Sequence, residues 1–157
     1  MTFSARLRLA TVLAAGTMLQ ACGDDSPATP TPSPTPTPTP APQVISYQPV
    51  WELDSQFYIV QEFVIPAEGV ITATVDWQSD NNNVDVYVTK APCSAQEFFR
   101  GDKQCKIYDK DDAPSRKPAI ATFTAEAGHV GGARIWVLNQ GPNAERGSFL
   151  IEHQPPQ

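Results

Sequence analysis

The sequence predicts an all-β domain over residues 44–157, an antiparallel β-sandwich of about seven strands with one short helix in an excursion bracketed by two cysteines. Three observations predict it. Segments of five to nine residues rich in Val, Ile, Thr, Phe, Tyr and Trp recur between turn signals. Several of them alternate apolar and polar residues, as a strand with one buried face does. The stretch before them is so rich in proline that neither helix nor sheet ladder can form in it.

Strands are expected near 44–52, 56–64, 70–77, 84–89, 119–124, 133–139 and 148–153. The clearest is Gly69 to Trp77, with Ile71, Ala73, Val75 and Trp77 on one face and Thr72, Thr74 and Asp76 on the other. Pro66-Ala67-Glu68-Gly69 supplies the turn before it. A polar run from Gln78 to Asn83 follows, then Val84, Val86 and Val88 alternate with Asp85, Tyr87 and Thr89, so the two strands read as a hairpin with a long loop. Between Lys90 and Pro118 the β pattern stops. Ser94-Ala95-Gln96-Glu97 has capping-box spacing, which predicts a short helix through Phe99 ended by Gly101. Ile135-Trp136-Val137-Leu138 is too continuous for a strand with one wet face and predicts a central strand covered on both sides. Asn139-Gln140-Gly141-Pro142-Asn143 is a turn, Gly147 to Glu152 a last strand, and Pro155 and Pro156 end the ladder.

Residues 1–21 have the anatomy of a cleaved secretory signal: Arg6 and Arg8, an apolar run from Leu9 to Leu19, and a small residue before a cysteine. The run is shorter than the roughly twenty residues a spanning helix needs. Leu19-Gln20-Ala21-Cys22 resembles the lipobox of bacterial lipoproteins, with Gln20 where a smaller residue is commoner. The resemblance implies that the Cys22 thiol takes a diacylglycerol and that its amine, once freed, is open to acylation, anchoring the chain to a membrane. One acyl chain alone would hold it only reversibly. Gly23 follows the cysteine, and by the same resemblance the outer membrane is favoured over the inner.

Lipidation of Cys22 leaves Cys93 and Cys105 as a pair in a compartment where disulfides persist. A bond between them would stabilise the fold by about 2–3 kcal/mol. The alternative is a two-cysteine metal site, which would need two further ligands; His129 and His153 are the only histidines and lie far along the chain.

Residues 22–43 form the lipidated cysteine and a tether. Pro27 to Pro42 reads almost wholly as Thr-Pro, Ser-Pro and Ala-Pro pairs, for which polyproline II is the remaining conformation. At about 3.1 Å per residue, such a spacer would hold the domain up to roughly 65 Å from the lipid surface. Sugars on its Thr and Ser, or a partner that reads proline-rich segments, are less economical readings of the same stretch.

The formal charge of −6 becomes −8 when Arg6 and Arg8 leave, which argues against a nucleic-acid partner. No Gly-x-Ser-x-Gly, His-Glu-x-x-His or phosphate loop occurs, so no catalytic residue and no cofactor is assigned. Asp80, Asn81, Asn82, Asn83 and Asp85 on one loop, and Asp109, Asp111 and Asp112 on another, offer the hard oxygens calcium takes, yet Asp and Asn favour turns for their own backbone reasons. No metal ligand is assigned. Tyr87, Trp51 and Trp136 are either a binding platform or core.

Gly69-x-Ile71-x-Ala73-x-Val75-Asp76-Trp77, a polar loop, and Val84-Asp85-Val86-Tyr87-Val88 resemble the middle of the bacterial pre-peptidase C-terminal domains. Ile135-Trp136-Val137-Leu138-Asn139-x-Gly141 with Ser148-Phe149-Leu150-Ile151 is similar to that family's closing pair. The resemblance covers about Phe57 to Glu152 and implies a jelly-roll-like sandwich, normally an accessory to secreted enzymes. The cysteine-bracketed segment departs from the pattern. Together these readings give a non-enzymatic envelope lipoprotein that presents a binding module for a polysaccharide or an envelope protein. The competing readings are a hydrolase using carboxylates of residues 90–118, and a purely structural envelope component.

Overall fold

In the structure, a computed structural model that describes residues 40–157 apart from Ser115, the apolar segments form eight strands. They are β1 (Gln43–Leu53), β2 (Tyr58–Ile65), β3 (Gly69–Trp77), β4 (Val84–Lys90), β5 (Ile107–Asp111), β6 (Ala119–Ala125), β7 (Gly131–Asn139) and β8 (Glu145–Gln154), with the helix α1 (Ala95–Arg100) between β4 and β5. Two antiparallel sheets result, in the orders β1-β8-β3-β6 and β2-β7-β4-β5. Each strand from β1 to β8 lies in the other sheet from the next, except the neighbours β4 and β5. This is the jelly-roll arrangement, two four-stranded sheets face to face.

The core is what the alternation dictates. Ile71, Ala73, Val75 and Trp77 of β3 face Val84, Val86 and Val88 of β4 and Ile135 and Val137 of β7 across one continuous apolar layer. Phe149 and Ile151 of β8 and Phe63 and Ile65 of β2 complete it. Each Val, Ile and Phe among them contributes about 1.5–3 kcal/mol on leaving water.

Two expectations are corrected. β3 and β4 are not a hairpin: β3 pairs with β6 and β8, and β4 with β5 and β7, so the polar loop between them crosses from one sheet to the other. The excursion also holds an eighth strand, β5. Asp109 and Asp111 of β5 occupy positions where an apolar alternation would otherwise show, and both turn toward the neighbouring sheet. Asp109 accepts the Thr122 backbone N–H at 2.6 Å, and Asp111 accepts that of Ile120 at 3.0 Å. These are two edge donors of β6, two residues apart, satisfied by two carboxylates two residues apart.

Candidate functional site

The outer face of the β2-β7-β4-β5 sheet is where this sandwich departs from a plain one. Trp136 on β7 and Thr89 on β4 point outward, yet both are fully buried, and the Trp136 indole N–H donates to Thr89 Oγ1 at 2.9 Å. The cover is α1. Phe98 stacks on Trp136 with ring centroids 4.3 Å apart and planes 5° from parallel, and Tyr87 meets Phe98 edge-on at 5.3 Å. The continuous run around Trp136 therefore does mark a strand covered on both sides, by the core within and a second small core without.

Three local devices hold α1 there. Ser94 and Glu97 form the expected capping box, Glu97 N–H donating to Ser94 Oγ at 3.3 Å and Ser94 N–H to Glu97 Oε2 at 2.7 Å. The Ser94 hydroxyl, which also donates to Glu97 Oε2 at 2.6 Å, and then the Ser94 N–H hold the Glu97 carboxyl below the usual range. Gly101 ends the helix in the left-handed region at φ 67°, where a side chain would be strained. The Cys93–Cys105 disulfide closes the loop with Cα atoms 5.0 Å apart, and Arg134 donates to the Cys93 carbonyl.

Clamped in this way, α1 presents Phe99 outward, 56% exposed. Beside it stands Tyr58, the first residue of β2, at 4.9 Å between ring centroids. The third ring is Phe57, 62% exposed. Its position follows from Gln56, a non-glycine residue at φ 64°, where the left-handed backbone costs roughly 1–2 kcal/mol. Gln56 donates its backbone N–H to Asn139 O at 2.9 Å and its side-chain amide to Gln140 O at 2.9 Å, which holds the turn and directs Phe57 outward. The rings of Phe57, Tyr58 and Phe99 line a shallow groove with Gln56 and Gln140 on its rim. Sequence reasoning missed this ledge, because it rests on a turn conformation and a helix cap rather than on strand parity.

The aromatic residues singled out from the sequence lie elsewhere. Trp51 and Trp136 are buried and Tyr87 is half-buried against Phe98. Burial first, then the Asp85 and Asp112 charges, raise the Tyr87 hydroxyl to about 12.

The two acidic loops are taken up in the fold. Asp80 pairs with Lys117 at 2.9 Å. Asn82 is buried and donates to Asn139 Oδ1, Asn143 O and Glu145 Oε2, each at 3.2 Å. Asn83 donates to Asp85 Oδ1 at 3.2 Å, while burial and then the Asp112 charge raise the Asp85 carboxyl above its ordinary value. Asp109 and Asp111 hold β6, and Asp112 pairs with Lys110. Among the described residues no group of three or more His, Cys, Asp and Glu is arranged to hold a metal. At the same end of the sandwich, a polar cleft of about 460 Å³ is lined by Glu52, Asp54, Gln78, Glu145 and Arg146. Its most buried carboxylate, Glu145, accepts backbone N–H groups from Gln78, Ser79 and Arg146 and serves the loops around it. Cys22 and the signal segment lie outside the described residues.

No family model and no curated protein matches this chain. Among solved structures the chain is similar to a carbohydrate binding module (CBM6cm-2) from Cellvibrio mixtus lichenase 5A in complex with cellotriose. That likeness has 9% identity and a TM-score of 0.45, and covers 73% of this chain and 100% of that chain. No residue of this chain takes a role from it.

Proposed function

We propose that the protein is a lipid-anchored component of the cell envelope, the outer membrane by preference, and that its sandwich is a non-catalytic module binding a polysaccharide at the Phe57, Tyr58 and Phe99 ledge. The observation that carries this reading is that Phe57 and Phe99 are both more than half exposed and line one groove. Exposing a large ring forgoes the stabilisation its burial would bring. Here one ring is kept out by the left-handed Gln56 turn and the other by a disulfide-bracketed helix. Rings beside planar amides suit a sugar, whose C–H face stacks on the ring while its hydroxyls meet Gln56 and Gln140. The anchor at Cys22 and the proline-rich tether complete the reading, since a module on a spacer can reach polymer away from its own membrane.

Electrophoresis of the full chain carrying Cys22→Ser through gels containing neutral and charged polysaccharides tests the binding. Retardation by at least one polymer, lost in Phe57→Ala and Phe99→Ala, is the expected result; free migration through every gel refutes it. The anchor is tested separately, because Cys22→Ser should release the protein from membranes. A second reading, docking of an envelope protein, is favoured by Val60 and Val64, which are exposed and continue the ledge along β2.

A further inference from the structure

Charge is divided within this domain. Residues 90–118 carry seven Lys and Arg against five Asp and Glu, a net of +2, whereas residues 44–89 and 119–157 together carry two against ten, a net of −8. The ion pairs sharpen the division. Lys110, Arg116, Lys117, Arg134 and Arg146 each have a carboxylate partner within 4.0 Å, at Asp112, Asp111, Asp80, Glu62 and Glu52. The other four cations of the described residues, Lys90, Arg100, Lys103 and Lys106, have none, and all four are exposed.

All four lie on or next to the disulfide-closed loop, but only Arg100 adjoins a ledge residue: Lys90 pairs with Ala133, five residues along β7 from the Leu138 that pairs with Tyr58, and Lys106 Nζ lies 3.1 Å from His129 Nε2. The Lys90 backbone N–H donates to Lys106 O at 2.9 Å, which sets the end of β4 beside the start of β5. The disulfide between Cys93 and Cys105 closes the loop that carries Arg100 and Lys103. Arg100 directly follows Phe99 of the aromatic ledge. The carboxylates of the same loop are engaged locally, Glu97 with Ser94 and Asp102 with the Gln104 N–H at 3.0 Å. On a domain otherwise strongly acidic, Arg100 and Lys103, without a carboxylate partner in the loop that carries Phe99, favour a polymer that brings its own negative charge.

We infer that the ligand of the ledge is an anionic polysaccharide, its sugar faces on Phe57, Tyr58 and Phe99 and its acid groups on Arg100 and Lys103. This rests on the polysaccharide-binding reading above and adds the class of sugar. Arginine suits the role because its planar donors meet a carboxylate or sulfate two at a time.

The test uses the Cys22→Ser full chain against paired polymers that differ only in charge: polygalacturonate with its methyl ester, and dextran sulfate with dextran. Binding to a charged member at least about tenfold tighter than to its neutral partner is expected, weakening about tenfold between 0.1 and 0.5 M NaCl as screening shortens the reach of the charges. The double variant Arg100→Glu/Lys103→Glu should lose that preference with its melting temperature unchanged. Equal binding to charged and neutral polymers overturns the inference and leaves the polysaccharide reading standing. Binding to polyglutamate or to phosphatidylglycerol vesicles as tight as to the charged sugars also overturns it, since charge alone would then suffice. Binding to no polymer overturns both.

Discussion

Asp111 on β5 accepts the backbone N–H of Ile120 on β6 at 3.0 Å, so the edge of one sheet is closed by a side chain from the edge of the other. With Asp109 doing the same for Thr122, two donors that would otherwise face outward from a sheet edge are occupied. An open edge is a template for pairing with another chain, and this is one way to blunt it.

Asp111→Ala should therefore destabilise the domain by about 1–3 kcal/mol, the range for removing one partner of a buried hydrogen bond. Asp111→Asn, which keeps an acceptor oxygen, should lose less. Urea unfolding measures both. The Asp109→Ala/Asp111→Ala pair should also raise light scattering at high concentration, and unchanged scattering would show that β6 is protected by something else.

Phe98 and the disulfide act on the same element and are separable. Phe98 is only half-buried, so Phe98→Ala should cost less than the roughly 3–5 kcal/mol of a fully buried ring, about 1–3 kcal/mol, and expose Trp136 to quenchers. Cys93→Ala/Cys105→Ala should cost about 2–3 kcal/mol, lower the melting temperature and leave the sandwich folded. The core between the sheets does not include α1, so strand signatures in circular dichroism should survive both changes. Their loss would mean that the second small core is required for the first.

How much of this was legible follows from which forces are local. Ile71, Ala73, Val75 and Trp77 declare their strand because burial on one face writes a period of two into the chain. The run around Trp136 declared a strand covered on both sides, and Ser94 with Glu97 declared the helix, because both signals lie within a few residues. β5 was hidden, since the groups it turns toward β6 are carboxylates whose donors lie 9 and 13 residues further on. The hairpin expected between β3 and β4 failed for a related reason: alternation fixes which face is buried but not which sheet receives the strand. The ledge was hidden because Phe57 and Phe99 are apolar residues kept outside by a turn and a clamp.

Gly147 lies opposite Trp51 on β1 and Trp77 on β3 in the pairing of β8. A Cβ there would stand 2.1 Å from Asp76 O and 2.4 Å from the Trp51 ring, and both obstacles are fixed within the sandwich. Gly147→Ala should cost about 1–3 kcal/mol through overpacking. A lower urea midpoint at unchanged slope is the expected reading; an unchanged midpoint would show that the β3 backbone at Asp76 and the Trp51 indole both give way.

Two carboxylates should give acid titrations of opposite sign. Burial alone would raise Glu145, but the Arg146 N–H, the Asn82 amide and Ser79 hold it below its ordinary 4.5. The unfolded chain then takes up that proton at higher pH than the folded one, so the stabilisation is complete above about pH 4.5 and is lost as pH falls through the folded value. Glu145→Gln should lower stability by about 1–3 kcal/mol at pH 7, with the deficit shrinking in acid. Asp85 runs the other way: burial and the Asp112 charge lift its folded value above 3.8, so its ionised form opposes folding at neutral pH and ceases to do so once protonated. Asp85→Asn should raise the melting temperature at pH 7, and the gain should vanish as pH falls through the folded Asp85 value toward 3.8. Melting temperatures of the two variants against wild type between pH 3 and pH 8 decide it. Parallel curves for either variant would mean that its carboxylate titrates alike in the folded and unfolded chain.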